Sequence, residues 1–249
     1  MRILALDSSG LVASVAIVDD DILIAEYTIN YKKTHSQTLV PMMNEIKQMI
    51  ELDLQSIDAI AVSAGPGSFT GLRIGSATAK GLGLALNKPL ISIPTVDGLA
   101  YNLYGTNALV CPVMDARRNQ VYTGIYAFNR KADNGETDSY EMQTIQEQCA
   151  VDIAEIADKL NALGKEVIFL GDGVPVFRER LKELLTIPYS FAPAMMNRQS
   201  AATVGALASI YYRQGKIQTA MEHEPEYLRL SQAERERKEA EEKGKNNVH

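Results

Sequence analysis

The apolar runs of this chain fall in the same order twice, an arrangement that points to a duplicated α/β fold. Three short β-rich runs come first, at residues 3–6, 12–18 and 22–28, with Asp19-Asp20-Asp21 as an acidic hairpin turn between the second and third. Leu39, Met43, Ile46 and Ile50 then recur at helical spacing, and residues 57–63 form the next strand candidate. A glycine-dense helix runs to about Leu86, followed by a strand at 90–93 and a short helix at 94–104. The second half repeats the series: strands at 109–114, 120–128 and 140–145, a helix at 153–163, a strand at 166–170 and a helix at 174–185. Each half therefore reads β-β-β-α-β-α, and Asp7 and Asp115 stand at the same place, just past the first strand of their half. The expectation is a two-lobed α/β protein, residues 1–106 and 107–230, with an apolar helix at 200–213 able to complete the first lobe. The 249 residues suit that plan, since domains run to roughly 100–200 residues. Residues 231–249 include ten charged side chains of mixed sign and read as a frayed or disordered tail.

The glycine run is the sharpest local feature, with six glycines between Gly65 and Gly83. Glycine inside a helix costs roughly 0.5–1 kcal/mol relative to alanine, so Gly71, Gly75, Gly81 and Gly83 together weaken their helix by about 2–4 kcal/mol. Gly71, Gly75, Ala79 and Gly83 recur every four residues, and the bare face they form admits a second helix at close range. That helix belongs either to a partner or to this chain, the 39–50 helix being the internal candidate. On the partner reading, Gly75→Leu abolishes docking and leaves the monomer folded. The start of the 39–50 helix is itself open. Thr34 and Gln37 have capping-box spacing but put Pro41 inside the helix, whereas the alternative places Pro41 at its first position.

Motifs for common chemistries are missing. A phosphate-cradling GxxxxGK[ST] is absent, GxGxxG fails because Gly71 comes one residue late, and GxSxG fails around Ser68. His35, His223 and His249 are scattered without metal-ligand spacing, and Cys111 and Cys149 form neither a zinc ribbon nor a disulfide framework. Asp7 and Asp115 are the better site candidates: facing one cleft they could hold a hydrated cation, or each could satisfy the backbone of its own turn. Arg117 and Arg118 either hold a phosphate or pair with Asp115. With 25 Lys+Arg against 31 Asp+Glu the net charge is -6, the wrong sign for gripping a phosphate backbone unaided. No run of about 18 or more apolar residues is present, and the first residues reach Asp7 too soon for a signal peptide, so a cytoplasmic protein that spans no membrane is expected.

The run Gly65-Pro66-Gly67-Ser68-Phe69-Thr70-Gly71-Leu72-Arg73-Ile74-Gly75 resembles the TsaB (YeaZ) family, as do Leu4-Ala5-Leu6-Asp7-Ser8-Ser9, His35-Ser36-Gln37, Asp115-Ala116-Arg117-Arg118 and Pro225-Glu226-Tyr227-Leu228-Arg229. One departure stands at Gln37, where the family pattern has glutamate. The resemblance implies the actin-like, Hsp70-type ATPase fold (RNase H-like) with two duplicated lobes. It also implies a role in making the threonylcarbamoyl-adenosine modification of tRNA, as an accessory subunit of the transferase TsaD, assisted by the ATPase TsaE. The HxxxH metal motif of TsaD-type proteins aligns with Thr95 and Leu99, so the resemblance implies no metal and no catalysis in this chain. It further implies a homodimer in isolation, tRNA reached only through the complex, no tightly bound cofactor, and at most weak ATP or ADP at a shared interface. The docking set it suggests is His35, Ser36, Leu39, Met43, Gly67, Phe69, Thr70, Gly71, Arg73, Gly75, Ala79 and Gly83, with Asp7, Ser8, Ser9, Asp115 and Arg117 as a residual phosphate site. Two rival readings are a stand-alone ATP-dependent phosphotransferase of the same fold and a metallo-glycopeptidase.

Overall fold

The computed structural model describes residues 1–131 and 139–229, and the charged tail expected at 231–249 lies outside the described residues. In the first lobe β1 (Arg2–Asp7), β2 (Val12–Asp19) and β3 (Ile22–Asn30) form an antiparallel meander. The strands β4 (Ala59–Gly65) and β5 (Leu90–Pro94) extend it in parallel on the far side of β1, giving the order β3-β2-β1-β4-β5. The second lobe repeats the pattern with β6 (Leu109–Asp115), β7 (Gln120–Arg130), β8 (Tyr140–Asp152), β9 (Val167–Leu170) and β10 (Tyr189–Phe191), in the order β8-β7-β6-β9-β10. The duplication read from the sequence is thus a duplication of topology. Two differences have simple causes. β10 has three residues, too few to display a period, and the second half of β8, rich in Gln and Glu, lies on a sheet edge where no apolar alternation is needed.

Side chains of β1 alternate between two layers. Leu4 and Leu6 pack with α1 (Leu39–Met49) and α2 (Phe69–Leu86), whereas Ile3 and Ala5 pack with α6 (Ala201–Arg213). On the α6 side the sheet presents Ala5, Ala16, Ala59 and Ala61, so the helix approaches closely, and a Cβ at Gly205 would sit 2.6 Å from Val18. The second sheet is covered on one face by α4 (Ile153–Leu163) and α5 (Val174–Leu184), and on the other by α3 (Thr95–Ala100). The lobes exchange helices: α3 follows the first lobe yet packs Val96, Leu99 and Ala100 on the second sheet, and α6 follows the second lobe yet covers the first.

The 39–50 helix starts at Leu39, after a 3-10 turn at His35–Gln37, so Pro41 lies third in the first helical turn, where its missing N–H leaves no ladder bond unmade. Neither alternative for its start holds: the Thr34 side chain makes no capping bond, and Pro41 is not at the first position. The largest correction concerns the glycine face. A Cβ at Gly71 would lie 2.1 Å from the Ser8 carbonyl oxygen, one at Gly75 2.4 Å from Ser8 Oγ, and one at Gly83 2.3 Å from Leu90. Ala79 is fully buried in the same layer. The bare face of α2 is therefore pressed against the chain's own first sheet and receives no helix, neither a partner's nor the 39–50 helix. A Leu at Gly75 would disrupt the monomer itself.

Candidate functional site

Two surfaces bring the expected site residues together, and the first is a cleft of about 560 Å³ between the lobes. Its walls are the β1–β2 turn with His35, the start of α2, the β6–β7 turn with Asp115 and Arg117, Asp172 beyond β9, and residues 226–229. The first-lobe wall is closed to chemistry by its own bonds. Asp7 is 2 % exposed and accepts hydrogen bonds from the Ser9 backbone N–H at 2.9 Å, Ser9 Oγ at 2.7 Å and Ser63 Oγ at 2.5 Å. Burial pushes its carboxyl above the ordinary range, while those bonds pull the other way. Ser8 Oγ donates to the Gly71 carbonyl at 2.9 Å, and the α2 N-terminus, opened by the Ser68 cap, rests on this turn. Asp7 and Asp115 therefore do not face one cleft: Asp7 serves its own turn, and of the expected phosphate residues only Ser9, Asp115 and Arg117 line the opening.

On the second-lobe wall Asp115 accepts from the Arg117 backbone N–H at 2.8 Å and pairs with its guanidinium at 3.2 Å. Arg117 thus satisfies Asp115, with its side chain 86% exposed, and such a surface pair is weak. His35 directs Nε2 at the Gly10 carbonyl, 2.9 Å away, and its Nδ1 is buried without a partner among the described residues. Asp172 was missed by the sequence reading. It stands in Gly171-Asp172-Gly173 after β9, where the first lobe has Gly65-Pro66-Gly67 starting on the last residue of β4, a repeated Gly-x-Gly that is a legible signal of the duplication. Burial pushes the Asp172 carboxyl up, and its Oδ1 has no partner among the described residues. The two positions that the resemblance sets against the metal motif are occupied by packing and backbone bonding. Thr95 Oγ1 accepts from the Gly65 N–H at 3.2 Å, and Leu99 lies in the core beneath the second sheet. Among the described residues no three His, Cys, Asp or Glu side chains converge as a metal site.

The second surface is the outer side of α1 and α2. From the expected docking set, Leu39, Gly71, Gly75, Ala79 and Gly83 are buried in the chain's own packing and cannot line it. Ser36, Thr70 and Arg73 are exposed, Met43 and Phe69 are half-buried, and Gly67 abuts the Ser9 carbonyl. A second stripe replaces the buried one: Arg73, Ala77, Gly81 and Ala85 also recur every four residues, and all are exposed. Among the described residues no atom lies within 4 Å of where a Cβ on Gly81 would be. Beside it Leu84 is 61% exposed, and an apolar groove of about 210 Å³ between α1 and α2 is bordered by Val40, Met43 and Leu82. No helix among the described residues is long and apolar enough to cross a membrane.

Comparison with known proteins agrees with this architecture. Residues 23–237 match the family described as "TsaD: tRNA N6-adenosine threonylcarbamoyltransferase". The chain is 30% identical over 237 residues to the tRNA threonylcarbamoyladenosine biosynthesis protein TsaB of Bacillus subtilis, covering 94% of this chain and 96% of that protein. It is also 30% identical to the protein of the same name from Escherichia coli, over 92% of this chain and 95% of that one. Among solved structures, YeaZ from Pseudomonas aeruginosa superposes with a TM-score of 0.75 at 27% identity, over 91% of this chain and 99% of that one. With its duplicated β-β-β-α-β-α lobes in the actin-like arrangement, this chain belongs to the TsaB (YeaZ) family.

Proposed function

We propose that this chain is a non-catalytic subunit in the biosynthesis of threonylcarbamoyl-adenosine in tRNA, docking the transferase TsaD, and with it the ATPase TsaE, through the outer faces of α1 and α2. The observation that carries the reading is Gly81. In mid-helix it costs roughly 0.5–1 kcal/mol, and among the described residues nothing packs on it in return, unlike Gly71, Gly75 and Gly83. The exposed stripe around it, with Leu84 and the Val40–Met43 groove alongside, suits an apolar helix pair from another polypeptide. In isolation the same face pairs with a second copy of the chain.

Catalysis resides in the partner on this reading, since Thr95 and Leu99 are committed to backbone bonding and core packing. The net charge of -6 leaves tRNA binding to the complex. Nucleotide is held weakly at most, because Asp7 accepts within its own turn, Ser8 donates to Gly71, and the cleft sets Asp115, Asp172 and Glu226 against a phosphate. Isothermal calorimetry with ATP on the isolated chain checks this point, tight stoichiometric binding being the result that favours a stand-alone phosphotransferase.

The test of the whole is reconstitution of tRNA threonylcarbamoylation from purified components with and without this chain. Activity lost on omission and restored on addition supports the reading, and full activity without it removes it. Gly81→Leu sharpens the outcome. It leaves the monomer folded and abolishes co-purification with TsaD, whereas normal co-purification would place the docking face elsewhere.

A further inference from the structure

Residues 223–229, which include the Pro225-Glu226-Tyr227-Leu228-Arg229 run, have no part in the docking reading, yet they cross the cleft and alternate between its walls. The segment leaves the first lobe from a firm anchor. His223 is fully buried, with Nδ1 2.8 Å from Ser92 Oγ and 2.9 Å from Gln218 Nε2, and Lys80 Nζ donates to its carbonyl at 2.9 Å. The Glu226 N–H donates to the Ala64 carbonyl at the end of β4, at 2.7 Å, while its carboxylate accepts from Gln148 Nε2 on β8 of the other lobe at 3.1 Å. Tyr227 returns to the first lobe, its ring 4.8 Å from that of Phe69 and its hydroxyl accepting from Arg73 Nε at 3.3 Å. Arg229 crosses again and donates to the Ala116 carbonyl in the β6–β7 turn at 2.5 Å. Gly65 fits the same segment: a Cβ there would lie 2.1 Å from the Glu226 carbonyl oxygen.

We propose that residues 223–229 form a latch that sets the separation of the two lobes, anchored at His223, closed on the first lobe by Tyr227 and on the second by Arg229. A segment merely lying on the surface would bond to one wall, whereas here Glu226 bonds to both, Tyr227 to the first and Arg229 to the second. The exchange of α3 and α6 joins the lobes through their cores, and the latch adds a link at the mouth of the cleft. Releasing it widens the cleft and uncovers Phe69. The inference stands whether or not the outer face of α2 docks a partner.

Hydrogen–deuterium exchange on the full chain tests it through transmission between walls. Tyr227→Ala removes contacts to the first lobe, Phe69 and Arg73, and should speed exchange about tenfold across residues 116–121 of the second, just past β6. Arg229→Ala should do the converse, loosening residues 64–71. Unchanged protection of β1 and β6 establishes that each variant remains folded. If each substitution loosens only the wall its own side chain touches, or neither wall, residues 223–229 are a local surface segment and the latch is overturned.

Discussion

The two lobes share one topology and part ways at the turn after their first strand. In the first lobe that turn is built into the interior: Asp7 takes three hydrogen bonds, Ser8 bonds to Gly71, and the α2 N-terminus comes so close that only glycine fits at Gly71 and Gly75. In the second lobe the equivalent turn runs through Arg117, Arg118 and Asn119, all left-handed with φ of 65°, 57° and 59°, and its side chains are exposed. α5 reaches the end of β6 only through Gly171 and Gly173, both close to Val113. Duplication supplied two equal turns. One became packing, and the other remained a strained loop facing the cleft.

The contrast is broken most forcefully at Gly75. Gly75→Leu forces a side chain into Ser8 and Val62 and should cost at least about 4 kcal/mol, seen in urea denaturation as loss of the folded state. Retention of wild-type stability would mean that α2 can move off the first-lobe turn. Next in size is Asp7→Asn, expected to cost about 1–3 kcal/mol because an amide nitrogen would meet donors that now face a carboxylate oxygen. Asp115→Asn, at the equivalent position, should cost less than about 1 kcal/mol, its partner being a largely exposed arginine. Burial raises the Asp7 carboxyl in the fold, so the folded state holds that proton more tightly than the unfolded chain does. Its contribution is present below the ordinary carboxylate range and is lost as pH rises through the raised value. The stability gap between wild type and Asp7→Asn should therefore narrow with rising pH across that window, as read from urea midpoints at a series of pH values.

The same contrast explains what was legible in the sequence. Strand and helix order could be read because each buried strand and amphipathic helix carries its own period, and the halves match element for element down to Asp7 and Asp115. The direction of the glycine face could not. α2 carries two stripes of small residues at four-residue spacing, one through Gly71, Gly75 and Gly83 and one through Ala77, Gly81 and Ala85, and spacing alone does not say which meets the sheet. Only the position of the β1–β2 turn in space decides it. The role of Asp7 was open between cation and turn for a related reason, since its third donor, Ser63, is 56 residues away. Asp172 was legible through the repeated Gly-x-Gly, whereas the cross-cleft bonds of Glu226 and Arg229 join residues that no local pattern connects.

A smaller effect separates the two stripes. Gly81→Ala places a methyl in open space on a helix and should stabilise the isolated chain by about 0.5–1 kcal/mol, the opposite sign to any substitution at Gly71 or Gly75. Thermal melting of the purified chain checks the sign.

The smallest effect returns to the paired turns. Holding a non-glycine residue in the left-handed region costs roughly 1–2 kcal/mol, and replacing it with glycine returns part of that as lost chain entropy, about 0.5–1 kcal/mol. Arg118→Gly should therefore stabilise the second-lobe turn by about 0.5 kcal/mol net, a rise in melting temperature of about 1–2 °C for a chain of this size. Ser9→Gly in the first lobe should act in the other direction, because Ser9 is not left-handed and its hydroxyl donates to buried Asp7. Opposite signs at the two positions would establish that one turn is held by bonds and the other under strain. If Arg118→Gly destabilises instead, the left-handed run is held in place by its own side-chain contacts, and the difference between the lobes reduces to the glycines of α2.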